Sequence, residues 1–235
     1  MIDLLHSFAG RRPRAVCLGS FTDCPRRGVH HSLEQIIGEY LVPLGIALQQ
    51  SGAAQVLADN HDTIFNDPNS WVGGNPEGDI TVVEFIDYRC GYCRKAWQEV
   101  DQLVEGDGNI RFVLKEFPIL GEASVLSSRF AIAVLQLHGN DAYRAAHDAL
   151  LSMRADPSPE ALARLAEDMG LDPQPIADRM NSAEVTKVIE DNHRLAQTME
   201  ISGTPTFVVG GTMVRGYVPL DAMQDIVAEE RAKAG

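Results

Sequence analysis

Ile80-Thr-Val-Val-Glu-Phe-Ile86 reads as a buried strand, and it runs through Asp87-Tyr-Arg89 into Cys90-Gly-Tyr-Cys93 and a helix. Two thiols two residues apart at a helix start make a redox site. The attacking species in thiol–disulfide exchange is a thiolate, and a helix N-terminus offers unpaired N–H groups and partial positive charge that stabilise it. Cys90 is therefore predicted to be the acidic, exposed nucleophile. Cys93, one turn on, lies on the same face and is placed to resolve the mixed disulfide that Cys90 forms with a substrate.

The helix is specified by Ala96, Trp97, Val100, Leu103 and Val104, which recur at the three and four spacing of one buried stripe. Gly106-Asp-Gly-Asn109 stops it. A lone CxxC is also half of a zinc site, but no second CxxC or HxxxH follows. A CxxC between a buried strand and an amphipathic helix points instead to a thioredoxin-like α/β fold.

With 33 acidic against 20 basic residues the net charge is −13, which argues against nucleic acid or an anionic membrane as partner. No run approaches the roughly 18 consecutive apolar residues of a transmembrane helix. Four cysteines are too few for a disulfide scaffold, and only Cys90 and Cys93 have a spacing that predicts a mechanism. Cys17 and Cys24 read as thiols of a loosely ordered tail.

Residues 1–30, with arginines at 11, 12, 14, 26 and 27 and no apolar period, read as a disordered arm. After Arg11-Arg-Pro-Arg14 the run Ala15-Val-Cys-Leu18 is too short for a secretory signal, so either the protein is cytoplasmic or this start differs from that of the natural precursor. Residues 31–63 read as a helical extension. The stripe Leu33, Ile36, Ile37, Tyr40, Leu41 and Leu44 could join copies of the chain into a homo-oligomer, or pack back on its own domain.

Ser70 to Gly78 reads as turn-forming, and Ile110 to Phe117 as a strand parallel to the first. A helical block follows. Glu122 to His138 is apolar nearly all round, and Gly139-Asn140 ends it. Helices are then expected from Asn140 to Met153, after Ser158-Pro159, after Asp172-Pro173, and after a capping box of Asn181 with Glu184. Thr206-Phe-Val-Val209 and Thr212-Met-Val-Arg215 flank the hairpin turn Gly210-Gly211, and Pro219 opens a last helix. His138, His147 and His193 fall on helices without metal spacing and read as surface or capping residues.

This order, with the CxxC after the first strand and Gly203-Thr-Pro-Thr206 before the hairpin, resembles the DsbA-like branch of the thioredoxin superfamily, and within it the bacterial Com1/ScsC-type periplasmic proteins. The likeness is carried by Phe65-Asn-Asp-Pro68, Gly74-Asn-Pro-Glu-Gly-Asp79, Val83-Glu-Phe85, Asp87-Tyr88, the CxxC, Lys115-Glu-Phe-Pro118 and the Thr-Pro loop. It implies a DsbA-like domain over 64–235 with a helical insertion at about 121–181. It also implies a cis Thr204–Pro205 bond facing the CxxC, so that Thr204 and Pro205, with Gly91 and Tyr92, form the substrate-binding surface.

Glu84 interrupts an apolar strand whose two faces are covered, so its carboxyl is expected to be hard to ionise. Similar proteins carry an acid here, beneath the resolving thiol, where it relays a proton to or from Cys93, and Lys115 on the next strand is a candidate partner for it. The resemblance implies a periplasmic thiol–disulfide oxidoreductase, oxidase or isomerase, acting on unfolded or mispaired proteins. Its only cofactor would be the Cys90–Cys93 disulfide, reset by a membrane redox partner. The alternative is a binding module whose CxxC holds copper or zinc, since two thiolates suit Cu(I) and ScsC-type proteins are linked to copper tolerance.

Overall fold

A computed structural model of the chain describes residues 54–234. The arm expected over 1–30 and most of the extension expected over 31–63 lie outside the described residues. Helical residues 54–59 lead into α1 (His61–Phe65), β1 (Trp71–Gly74), β2 (Ile80–Ile86), α2 (Gly91–Asp107) and β3 (Ile110–Glu116). Then come α3 (Glu122–Ser152), α4 (Pro159–Asp168), α5 (Pro173–Met180), α6 (Ala183–Thr198), β4 (Thr206–Val209), β5 (Thr212–Arg215) and α7 (Leu220–Ala234).

The strands form one sheet in the order β1-β3-β2-β4-β5. β2 and β3 are parallel, as a strand–helix–strand crossover requires, and the other pairs are antiparallel. Because successive side chains alternate across a strand, β2 feeds two cores. Val82 and Ile86 join Phe112, Leu114 and Phe207 on the face covered by α2, α3 and α7, whereas Val83 and Phe85 join Val113 and Val208 on the other. Leu57, Ile64, Phe65 and the end of α6 close that second face. The last part of the expected extension thus packs on the sheet.

Local signals explain the helix ends. Gly108 at φ 72 terminates α2, and the hydroxyl of Ser158 caps α4 by accepting from Ala161 N–H. α3 is two helices joined at Gly139, whose φ of 81 breaks the helical geometry.

Two expectations are corrected. Trp71–Gly74 is not a turn but an edge strand antiparallel to β3, because the buried Trp71 indole anchors it by donating to the Asn140 carbonyl at 3.0 Å. Gly74 is needed there: a Cβ would meet the Ile110 carbonyl at 2.4 Å. The α6 cap is Ser182, which accepts from Val185 N–H at 3.3 Å, while Asn181 ends α5 with its side chain on the Ala177 carbonyl.

Candidate active site

Cys90 is the N-cap of α2 and Cys93 lies in its first turn, so the first thiol faces the unpaired N–H groups and the second turns under the helix. No acidic side chain occupies that first turn to oppose a thiolate. Both thiols are free. Cys90 is not the exposed thiol expected: it is buried at 8% exposure, because the Thr204–Pro205 loop covers it, against none for Cys93, while its neighbours Gly91 and Tyr92 are exposed, Tyr92 by 63%.

The Thr204–Pro205 bond is cis, and the loop it belongs to reaches the first thiol: the Cys90 sulfur lies 3.2 Å from the Thr204 carbonyl oxygen. Pro205 is held from behind, its carbonyl accepting from Gly216 N–H at 2.9 Å. The Cys90 thiol is lowered to about 5. The hydrogen bond from the Cys93 thiol is the largest cause, and it outweighs burial, with the Thr204 side chain and the backbone N–H groups of Cys93 and Tyr92 adding to it. Burial pushes Cys93 the other way, far above an ordinary thiol, and its bond to Cys90 adds to that. The two sulfurs are thus split into an acidic outer group and a protonated inner one.

Glu84 sits on the central strand between Leu114 and Phe207, on the face toward α2. It is buried, and its Oε1 has no hydrogen-bond partner. Burial raises its carboxyl to about 8, helped by the nearby Asp101 and Cys90 charges, and the Glu84 charge in turn pushes Cys93 up. Lys115 is not its partner. Lys115 pairs with Phe85, one position out of phase with Glu84, so it points to the opposite face and donates to Asp67 at 2.7 Å and to the Thr63 carbonyl at 2.8 Å.

Three further residues shape the site. The Asp87 carboxylate accepts from Arg89 N–H at 2.8 Å and from Ile119 and Leu120 N–H, which pins the loop before Cys90 to the segment after β3. Tyr217 stacks on Tyr92 with centroids 6.4 Å apart and is fixed by its hydroxyl on Glu99, while Lys95 lies over its ring. No spacing links Tyr217 to the CxxC; only the hairpin that carries it back does. His147 is not a surface residue. It is buried with its Nδ1 3.3 Å from the Tyr88 hydroxyl, in a cluster where Tyr88 and Tyr143 both donate to Glu116. It lies on the inner face of the second half of α3, four residues after the buried Tyr143 and three before the buried Leu150. Among the described residues no group of three or more His, Cys, Asp or Glu side chains is disposed to hold a metal ion.

Sheet, inserted helices and thiol pair define a thioredoxin-like protein. The DSBA-like thioredoxin domain matches residues 81–228, and the chain belongs to that family. A thioredoxin-like oxidoreductase from Silicibacter pomeroyi is 44% identical with a TM-score of 0.69, covering 74% of this chain and 98% of that one. The thiol-disulfide exchange protein alpha-DsbA2 of Wolbachia pipientis is 26% identical with a TM-score of 0.71, over 77% and 97% of the two chains. The catalytic domain of Proteus mirabilis ScsC is 25% identical with a TM-score of 0.70, over 76% and 98%. The chain spans only 29% and 24% of the length of the first two curated relatives it matches, both Na(+)/H(+) antiporters of Salinispora.

Proposed function

We propose that this protein is a thiol–disulfide oxidoreductase that exchanges disulfides with cysteines of secreted or periplasmic proteins. The observation that supports it most is the split between an acidic Cys90 at a helix N-terminus, beside the Thr204–Pro205 loop, and a buried, protonated Cys93. In the reducing direction the Cys90 thiolate attacks a substrate disulfide, whose bond breaks to release one substrate thiolate. Glu84, once it has released its own proton, takes the proton of Cys93, which attacks the Cys90 sulfur. The Cys90–substrate bond breaks, and the second substrate thiolate leaves. Oxidation runs the same steps backwards, with Glu84 returning the proton to Cys93.

The Thr204 backbone beside Pro205 would pair with an extended substrate segment, with Gly91 and Tyr92 on its flank. Electron balance demands a second partner, because each substrate oxidised leaves the pair reduced; a membrane redox protein is the natural acceptor. A periplasmic setting fits this chemistry, since disulfides persist in oxidising compartments, and among the described residues no helix is long and apolar enough to cross a membrane. Homo-oligomerisation through the Leu33 to Leu44 stripe belongs to the same proposal. The test is oxidation of a dithiol peptide in a glutathione buffer: the wild-type protein should turn over, and Cys90→Ser should abolish turnover.

A further inference from the structure

Glu84 keeps only 3% exposure, yet its proposed role requires its proton to come and go. It lines a narrow void with Trp97, Asp101, Phe112, His147 and Leu151, too tight to admit a water-sized sphere. Cys93, Trp97 and Asp101 are spaced by four on α2, so one helix face carries the resolving thiol at its top and a carboxylate two turns below. Asp101 is the ionisable group of this void that reaches solvent, with its side chain 21% exposed. Arg144 of α3 holds it from outside, donating to Asp101 Oδ2 at 2.5 Å and to Asp148 at 3.0 Å.

The other titratable groups facing this spot offer no exit. His147 is buried and kept neutral, lowered to about 3 by burial and by the Arg144 charge, and its Nδ1 is engaged with Tyr88. Burial holds Tyr143 well above its ordinary range, and its hydroxyl donates to Glu116. The Cys90 charge reaches Glu84, but Cys90 does not line the void. Asp148 and Glu105 act on Asp101 from outside.

We propose that Asp101 is a positioning residue for the exchange reaction: it is the gateway through which Glu84 gains and loses its proton, so that Glu84 and Asp101 together connect the buried Cys93 thiol to solvent. This rests on the thiol–disulfide reading. For resolution Glu84 first passes its own proton to Asp101 and on to water, and the carboxylate so formed takes the proton of Cys93; the reverse path returns it, and no electrons move in these steps. Burial lifts the Asp101 carboxyl above its ordinary range against the pull of Arg144, which narrows the gap between the two acids, and the Asp101 charge keeps Glu84 protonated.

The test uses the full chain and Asp101→Asn, with infrared detection of the protonated Glu84 carboxyl and the pH profile of Cys93-dependent resolution of a glutathione mixed disulfide. On transfer to D2O at roughly pH 6, exchange of the carboxyl proton should slow by about tenfold or more in Asp101→Asn. The Glu84 midpoint and the pH profile should both move to lower pH, while Cys90 alkylation stays as in wild type. Asp101→Glu should restore exchange and midpoint, and Asp101→Ser gives the same readout as Asp101→Asn if the amide variant misfolds. Neutral variants that keep the wild-type exchange rate would overturn the gateway even if the midpoint moves, because loss of the Asp101 charge alone shifts the midpoint. If Glu84→Gln leaves the pH profile of resolution intact, the proton role of Glu84 itself falls. If the wild-type protein exchanges no disulfide, the underlying function falls.

Discussion

The sulfur of Cys90 and the carbonyl oxygen of Thr204 stand 3.2 Å apart across 114 residues of sequence. A protonated thiol can donate to that oxygen and a thiolate cannot, so ionisation of Cys90 is supported by other groups: the Cys93 thiol first, then the Thr204 side chain and the helix N-terminus. Replacing Cys93 by alanine removes the largest of these supports. The Cys90 midpoint, followed by thiolate absorbance, should rise from about 5 toward that of an ordinary thiol near 8.5 in Cys93→Ala. An unchanged midpoint would mean that the Thr204 side chain and the backbone N–H groups hold the charge without the Cys93 thiol.

Stabilising the thiolate stabilises the reduced pair and makes the disulfide a stronger oxidant. Cys90, at about 5, falls between the thiols of thioredoxin and of the oxidase DsbA, at roughly 7 and 3.5. The Cys90–Cys93 potential in a glutathione buffer should accordingly fall between roughly −270 and −120 mV. A value at or below the thioredoxin end would contradict the acidic Cys90.

Glu84 makes stability depend on pH with a definite sign. Between its unfolded value of 4.5 and its folded value of about 8 the native chain holds a proton that the unfolded chain has lost, so stability falls as pH rises through this window. Glu84→Gln removes that dependence. Measured by urea unfolding of the oxidised protein, the wild type should lose on the order of 3–5 kcal/mol relative to Glu84→Gln across the window. Parallel curves for the two proteins would place the Glu84 carboxylate in contact with water.

The pair behind the opposite face tests the register. Lys115 is fully buried and Asp67 partly so, and their bond ties α1 to the sheet together with the Thr63 carbonyl. Asp67→Ala leaves a buried ammonium without its counter-charge and should cost roughly 3 kcal/mol in urea unfolding, more than Lys115→Met, which removes the charge itself. Neither should alter the Cys90 midpoint, because both lie across the sheet from it.

What the sequence made legible was local. Period, cap and stop signals located β2, the CxxC and α2 because each rests on residues within a turn or two of one another, and the Thr-Pro loop was visible through its family likeness. Features that depend on who faces whom were not. Lys115 looked like a partner for Glu84 until the register put it one position out of phase. Trp71–Gly74 looked like a turn because two of its four residues are glycine, and only the distant Asn140 carbonyl and β3 make it a strand. His147 is buried because it shares the inner face of its helix with Tyr143, Leu150 and Leu151, at the four, three and four spacing. Asp101 was readable in principle from the 93, 97, 101 spacing, but the void that gives it a neighbour forms only when β2 packs on α2.

The most direct measurement is intact-mass analysis of Cys93→Ala after reaction with a peptide disulfide, with Cys90→Ala beside it. Cys93→Ala should accumulate one peptide linked to Cys90, since the outer thiolate attacks and nothing resolves the adduct, and Cys90→Ala should stay unmodified because Cys93 is buried and protonated. An adduct on Cys93, or none on either variant, would contradict Cys90 as the nucleophile of a thiol–disulfide oxidoreductase.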